Sequence, residues 1–138
     1  AGRNTVTLQQ TAEAIIAVSP QVSVRLLQLD LASLSSVRQA ASEVNSWGDL
    51  PHIDILVNNA GIMATDFALT ADGYESQFGT NHLGHFLFTN LVMEKILNSS
   101  SPRVVNVSSD GHRLSPIRWG DYKFQVVYQF PTCISNIC

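Results

Sequence analysis

The segment from Ile53 to Gly61 constrains the fold of this chain more than any other, and it reads Ile-Asp-Ile-Leu-Val-Asn-Asn-Ala-Gly. The run from Ile53 to Val57 predicts a short strand with both faces covered, as in a parallel sheet. The strand stops abruptly at Asn-Asn-Ala-Gly. Asn side chains can bond neighbouring backbone, whereas Ala and Gly let the backbone approach a ligand closely. The same four residues can also form an ordinary turn after a strand.

Helical and strand patterns alternate along the rest of the chain, which predicts an α/β fold with a parallel sheet. Three helices are predicted: from Asn4 or Thr5 to about Val18, from Ser33 to about Trp47, and from about Ala71 to Leu97. Glycines at positions 79 and 84 should interrupt the third helix with a bend or allow close packing there. The predicted strands span residues 22–29, 53–57 and 103–107.

Composition excludes several classes of protein. The chain has 138 residues, 45% of them hydrophobic and 14% charged, which is typical of a globular domain. A net charge of −3 gives no basic surface for nucleic acid, and no apolar run reaches the ~18 residues of a membrane span. Both cysteines, Cys133 and Cys138, lie at the very end, so we expect no disulfide framework and a cytoplasmic location.

Three segments together resemble the short-chain dehydrogenase/reductase family: the Ile53–Gly61 run, the segment Asn-His-Leu-Gly-His-Phe at 81–86, and Arg-Val-Val-Asn-Val-Ser-Ser at 103–109. Within the family, the chain is most similar to the retinol-dehydrogenase and WW-domain-oxidoreductase-like subgroup in three segments: Ala-Gly-Arg-Asn at 1–4, Asn-His-Leu-Gly-His-Phe at 81–86 and Val-Asn-Val-Ser-Ser at 105–109. The resemblance implies a Rossmann fold and hydride transfer between a nicotinamide cofactor and a lipophilic carbonyl or alcohol. It also implies that a complete chain can form homo-oligomers.

The resemblance assigns cofactor contacts to five residues. It implies that Asp30 and Leu31 bond the adenine ring, and that Asn58, Ala60 and Gly61 pack under the adenosine ribose. Residues at the carboxyl ends of parallel strands face the cofactor crevice in this fold. For Asp30 the alternative is a cap on the turn that follows it.

Arg3 bears on the choice between the two nicotinamide cofactors. The segment Ala-Gly-Arg-Asn at 1–4 looks like the end of the family's second strand. An arginine there holds the 2′-phosphate of NADP through its planar fork, so the resemblance favours NADP over NAD. The alternative is a solvated arginine at a ragged terminus.

Two residues match members of the family's catalytic tetrad. The resemblance implies that the main-chain carbonyl of Asn81 holds a proton-relay water, and that Ser109 donates to the substrate oxygen where negative charge develops. The alternative for Ser109 is a cap on the turn at 110–111.

The spacing of residues along the sequence argues against two further kinds of site, a metal site and a hydrolase triad. His82 and His85 lie three positions apart but lack the third ligand that a catalytic zinc needs, so we expect no metal site. Ser109, Asp110 and His112 lie too close in sequence to form a hydrolase triad, and no Gly-x-Ser-x-Gly elbow is present.

The chain departs from the family at both ends. It contains neither the glycine-rich phosphate loop nor a Tyr-x-x-x-Lys pair, since Val126 and Thr132 lie four positions after Tyr122 and Tyr128. We therefore expect a partial Rossmann domain over residues 1–125, lacking the first strand and the C-terminal third. Residues 126–138 form an aberrant tail in this interpretation, out of frame or intron-derived, with a genuine divergent tail as the alternative.

These departures lead to an expectation about activity. Without the Tyr and Lys we expect no catalysis from this chain alone, weak or lost cofactor binding, and marginal folding because strand 22–29 lacks its neighbours. Three hypotheses stay open: an oxidoreductase represented by an incomplete chain, a non-catalytic nucleotide-binding or interaction protein, and an inert product of missplicing.

Overall fold

The computed structural model describes residues 1–113 and 119–121. The predicted tail at 126–138, with the residues around Tyr122 and Tyr128, lies outside the described residues. The chain divides into two compact units, Ala1–Asp30 and Leu31–Cys138, and each is described by itself.

The first unit contains one helix, α1, Thr5–Val18. Asn4 caps it, because its side-chain oxygen accepts the N–H groups of Val6 at 2.9 Å and Thr7 at 3.2 Å. These two donors would otherwise lack partners in the first turn. The predicted helix and its cap are confirmed.

The predicted strand at 22–29 is wrong. Within the first unit this segment makes a single parallel bridge, between Gly2 and Gln28. The Gly2 N–H donates to the Leu27 carbonyl at 3.1 Å, and the Leu29 N–H donates to the Gly2 carbonyl at 3.0 Å. A strand forms where a neighbouring backbone pairs with it along its length. Here Gly2 pairs with the segment at one position only.

The second unit begins with helix α2, Leu34–Ser46, which Ser33 caps by accepting the Ser36 N–H at 3.3 Å. One face of α2 is buried, as the spacing of its apolar residues predicts. The buried residues of that face are Val37, Ala40, Ala41 and Val44. Together with Phe88, Val92 and Ile96 they make up most of the core of this unit.

Two parallel strands form the sheet of the second unit: β1, Ile55–Asn58, and β2, Arg103–Asn106. Ile55 lies opposite Arg103 and Asn58 lies opposite Asn106. Both predicted strands are confirmed, with bounds shifted by one or two residues.

The expectation that β1 is covered on both faces is wrong. Ile55 is 60% exposed and Val57 is 54% exposed, and Val105 beside them on β2 is 43% exposed. Successive side chains of a strand point to opposite faces, so these residues share one face. Within the second unit these side chains stay largely exposed, whereas Asn58, on the other face, bonds Thr89 of α4.

The predicted helix at 71–97 is divided into four parts, and its first five residues are not helical. Helix α3 is Ser76–Phe78, a π-helical turn spans Gly79–Gly84, α4 is His85–Leu91 and α5 is Met93–Leu97. Glu75 sets the start, since its buried carboxylate accepts the N–H groups of Gln77 at 2.9 Å and Phe78 at 2.8 Å. The predicted interruption at Gly79 and Gly84 is confirmed as the π turn.

Gly84 lets this helical region pack closely against the start of the second unit. A Cβ atom at position 84 would lie 2.5 Å from the Leu31 carbonyl oxygen, closer than real Cβ contacts. No described helix is long and apolar enough to span a membrane.

Candidate functional site

A cavity of about 680 Å³ lies in the second unit, at the carboxyl ends of β1 and β2. Three parts of the chain form its walls: residues 58–63 after β1, residues 106–109 at the end of β2, and one side of the helical region from 81 to 90. Ligands of open α/β sheets bind at this edge, outside the carboxyl ends of the strands. The volume falls in the ordinary range of small-molecule sites, roughly 300–1,000 Å³.

Most of the site residues proposed from sequence meet in this cavity. Its walls include Asn58, Ala60, Gly61, Asn81 and Ser109. These residues come from three separated stretches of the chain. The resemblance to the family identified each stretch by its own motif, and the fold brings the three stretches together.

The remaining three residues do not line the cavity. Leu31 is buried in the second unit, where its carbonyl lies against Gly84. Arg3 and Asp30 belong to the first unit; Arg3 is exposed and Asp30 is half-buried. Their contacts with adenine and phosphate stay predictions.

Asn58 joins both strands to α4. Its side-chain nitrogen donates to the side-chain amide oxygen of Asn106 on β2 at 2.8 Å and to the Thr89 hydroxyl on α4 at 3.0 Å. Asn58 is 7% exposed, so these bonds replace water that the buried amide has lost. Asn58, the first residue of Asn-Asn-Ala-Gly, therefore holds together three parts of the chain that line the cavity.

Asn81 lies within the π turn and holds the loop after β1. Its side-chain nitrogen donates to the Ile62 carbonyl at 2.8 Å, and its oxygen accepts the Ile62 N–H at 2.9 Å. The family resemblance concerns the main-chain carbonyl of Asn81, so this paired use of the side chain was not predicted. A Cβ at Gly61 would lie only 3.3 Å from the same Asn81 oxygen.

The two histidines of the helical region have different roles. The Nε2 of His85 lies 2.6 Å from the Ala60 carbonyl oxygen, and because a carbonyl only accepts, that nitrogen carries the proton. The His82 ring stacks between Phe78, at 5.4 Å, and Phe86, at 6.2 Å. Among the described residues no group of three or more His, Cys, Asp or Glu side chains could hold a metal ion.

Ser109 is exposed at the mouth of the cavity. Its hydroxyl oxygen accepts the Gly111 N–H at 3.1 Å, which is the turn cap considered from sequence. The hydroxyl proton remains available for donation to a ligand. The His112 ring bonds the Ser109 main-chain carbonyl at 2.6 Å, and Asp110 lies 3.4 Å from Arg113, so the geometry offers no hydrolase triad.

Sequence reasoning gave no role to Gln77, and it considered His85, which lines the cavity, only as a metal ligand. Gln77 is buried and accepts the Ala64 N–H at 3.2 Å. The signal was present in the spacing, because Gln77, Asn81 and His85 each lie four positions apart and so share one side of a helix.

Comparison with known proteins identifies the family. A model of the short chain dehydrogenase family matches residues 1–123, which is most of the chain. The chain belongs to the short-chain dehydrogenase family. The parallel pair β1–β2 and its flanking helices are thus part of a Rossmann fold.

Three similar proteins illustrate the relationship of this short-chain dehydrogenase to others. It is 42% identical over 128 residues to oxidoreductase fscI of Fusarium equiseti, which covers 89% of the chain and 49% of that protein. It is 40% identical over 117 residues to mouse (Mus musculus) retinol dehydrogenase 11, covering 85% of the chain and 36% of that protein. A crystal structure of an uncharacterized protein from Mycobacterium Paratuberculosis superposes with a TM-score of 0.75 at 40% identity, over 97% of the chain and 44% of that structure.

Within its family the chain is thus similar to a retinol dehydrogenase. The chain spans less than half the length of each of the three proteins. What the named relatives act on therefore reaches this chain only as a proposal.

Proposed function

We propose that this chain is part of an NAD(P)-dependent oxidoreductase that interconverts a lipophilic carbonyl and its alcohol. The observation that carries the proposal is the cavity at the carboxyl ends of β1 and β2, where Asn58, Ala60, Gly61, Asn81 and Ser109 meet. Family membership and the names of the relatives, an oxidoreductase and a retinol dehydrogenase, support it.

The residues present fit a nicotinamide dinucleotide. Ala60 and Gly61 are exposed in the cavity wall and carry almost no side chain, so a ribose can lie directly on their backbone. The bound nicotinamide would supply or accept the hydride.

In carbonyl reduction the substrate carbon would receive the hydride, and its oxygen would receive a proton from the family's tyrosine, whose Tyr-x-x-x-Lys pair residues 1–138 do not contain. Ser109 would hold that oxygen by donating its hydroxyl proton in a hydrogen bond. Asn81, whose side chain is engaged with Ile62, would act through its main chain.

The cofactor proposed is NADP rather than NAD, on account of Arg3. The 2′-phosphate distinguishes the two cofactors, and an arginine fork binds phosphate through paired hydrogen bonds. Arg3→Ala should weaken binding of NADPH about tenfold and leave binding of NADH within about twofold, as measured by equilibrium fluorescence titration. Equal weakening for both dinucleotides would contradict the assignment.

A second candidate function has its own observation. Residues 1–138 contain no Tyr-x-x-x-Lys, the pair that supplies the general acid and its activating lysine in this family. The 138-residue polypeptide would then bind a nicotinamide dinucleotide without turning over a substrate.

The test of both functions is a binding titration beside a turnover assay. The 138-residue polypeptide is titrated with NADPH and NADH by fluorescence, and incubated with NADPH and a long-chain aldehyde. We expect weak binding without oxidation of NADPH. Ala60→Leu should abolish binding by filling the cavity wall, whereas Ala71→Leu, at an exposed turn, should not. Absence of binding by the folded polypeptide would refute the proposal, and turnover would refute the second candidate.

A further inference from the structure

Three side chains of the helical region bind the backbone of the loop after β1 at alternate residues. Gln77 accepts the Ala64 N–H at 3.2 Å. Asn81 pairs with both backbone groups of Ile62, at 2.9 and 2.8 Å. The His85 Nε2–H donates to the Ala60 carbonyl at 2.6 Å. The helix positions rise by four, from 77 to 81 to 85, while the loop positions fall by two.

The two repeats match in length. Four residues of a helix advance about 6 Å along its axis, and two residues of extended chain advance about 6.6 Å. A polar side chain at every fourth helical position can therefore meet every second residue of an antiparallel extended segment. The match ends at Ala64, whose φ of +58° turns the chain.

The π turn keeps the three side chains on one side of the helix. In a regular α-helix residues four apart are rotated by about 40°, so positions 77 and 85 would differ by about 80°. A π turn, with its i to i+5 hydrogen bonds, holds more residues per turn and reduces that rotation. The turn spans Gly79–Gly84, which is the stretch between the first and last of these side chains.

We propose that Gln77, Asn81 and His85 form a polar ladder that holds Ala60–Ala64 in place as one wall of the cavity. Gln77 and His85 are positioning residues: they act on a ligand through the backbone of Ala60 and Gly61. That this ligand is a nicotinamide dinucleotide rests on the proposed function, but the ladder itself does not.

The proposal predicts that breaking one end of the ladder loosens the other. His85→Phe removes only the bond to the Ala60 carbonyl. It should nevertheless raise amide hydrogen exchange at both Ile62 and Ala64 by about tenfold, measured by NMR on the 138-residue polypeptide. His85→Gln should restore protection, because its amide nitrogen can donate from a similar position. Gln77→Met should raise exchange at Ile62 as well as at Ala64.

The matched control is His82→Phe. His82 lies on the same helical region and lines the same cavity, but its ring stacks on Phe78 and Phe86 instead of bonding the loop. We expect exchange at Ile62 and Ala64 to stay within about twofold in this variant. Unchanged exchange at these amides in His85→Phe, or unprotected amides in the unmodified polypeptide, would overturn the proposal.

A second measurement covers the case in which His85→Phe unfolds the polypeptide. The nitrogen resonances of the His85 ring in the unmodified polypeptide should show the proton on Nε2. A neutral ring whose only proton lies on Nδ1 would overturn the ladder whatever the variant does.

An NADPH titration of the same variants separates this inference from the proposed function. We expect His85→Phe to weaken NADPH binding several-fold, and His85→Gln to recover most of it. Exchange that responds as expected in a polypeptide that binds no dinucleotide would uphold the ladder and refute the function. NADPH binding unaltered by His85→Phe, despite faster exchange, would refute the positioning role alone.

Discussion

Asn58 connects three elements through one buried amide, to Asn106 on β2 and Thr89 on α4. Asn58→Ala should lower the free energy of unfolding by about 1–3 kcal/mol, because it removes two hydrogen bonds and leaves their partners without this donor. Urea denaturation followed by circular dichroism measures the change. Asn59→Ala is the control: this neighbour is exposed, and its loss should cost less than about 0.5 kcal/mol. Equal costs would show that the amide contributes no more than a surface residue.

Ala64 adopts a backbone conformation that suits glycine better. Its φ is +58°, and it is the one residue other than glycine with a positive φ among those that the structure describes. Ala64→Gly should raise the free energy of unfolding by about 0.5–1 kcal/mol, since the strain exceeds the added entropy of the unfolded chain. The Ala64 N–H remains available to Gln77. Ala68→Gly, at a loop residue without positive φ, should instead be destabilising in the same urea assay.

At the level of elements, Gly84 controls how the π turn packs on the start of the second unit. Gly84→Ala places a Cβ 2.5 Å from the Leu31 carbonyl oxygen and 2.9 Å from the Leu31 Cβ. The backbone must shift, at a cost of about 1–3 kcal/mol. Thermal or urea unfolding should show this loss, while Gly48→Ala, with nothing within 4 Å of the new atom, should be nearly neutral. A tolerated Gly84→Ala would mean that the two segments pack less closely than described.

The elements that could be predicted from sequence are those fixed by nearby residues. Caps at Asn4 and Ser33 and the apolar spacing of α2 defined both helices closely. The third helix was predicted to begin five residues too early. Its start depends on the buried carboxylate of Glu75, which caps the helix in the folded chain. The strand at 22–29 failed because a strand depends on its neighbours, which its own sequence does not reveal.

The same distinction applies to the site. The resemblance to the family selected Asn58, Asn81 and Ser109, which line the cavity. It did not indicate that Gln77 and His85 bind the loop after β1. Those bonds join residues 13 and 25 positions apart, and only the folded chain brings them together.

At the scale of the whole molecule, one face of the β1–β2 sheet is apolar and exposed. Its residues include Ile55, Val57 and Val105. Exposed apolar patches and open strand edges promote association. We expect the 138-residue polypeptide to bind a hydrophobic dye such as anilinonaphthalene sulfonate and to self-associate in sedimentation velocity. A monodisperse monomer without dye binding would contradict this expectation.

Positive charge on that sheet face should reduce dye binding and self-association. Val57→Lys combined with Val105→Lys should lower dye binding and self-association several-fold, since both side chains already face solvent. Leu97→Lys provides the matched control. Leu97 is 70% exposed at the end of α5 and is not a residue of the sheet, and its replacement should change neither measurement by more than about a fifth.

The π turn at Gly79–Gly84 also determines how this region tolerates changes in chain length. A π turn is in effect one residue more than a regular helix needs. Deleting one residue there would give a regular α-helix across this stretch, and the residues after it would keep nearly the same rotation about the axis. His85 could then stay beside the Ala60 carbonyl and Phe88 could stay in the core. Deleting a residue between His85 and Phe88 would instead rotate Phe88 and every later residue of the helix by about 100°, away from the core. Natural variation here should therefore lose a residue from the π turn more readily than from α4.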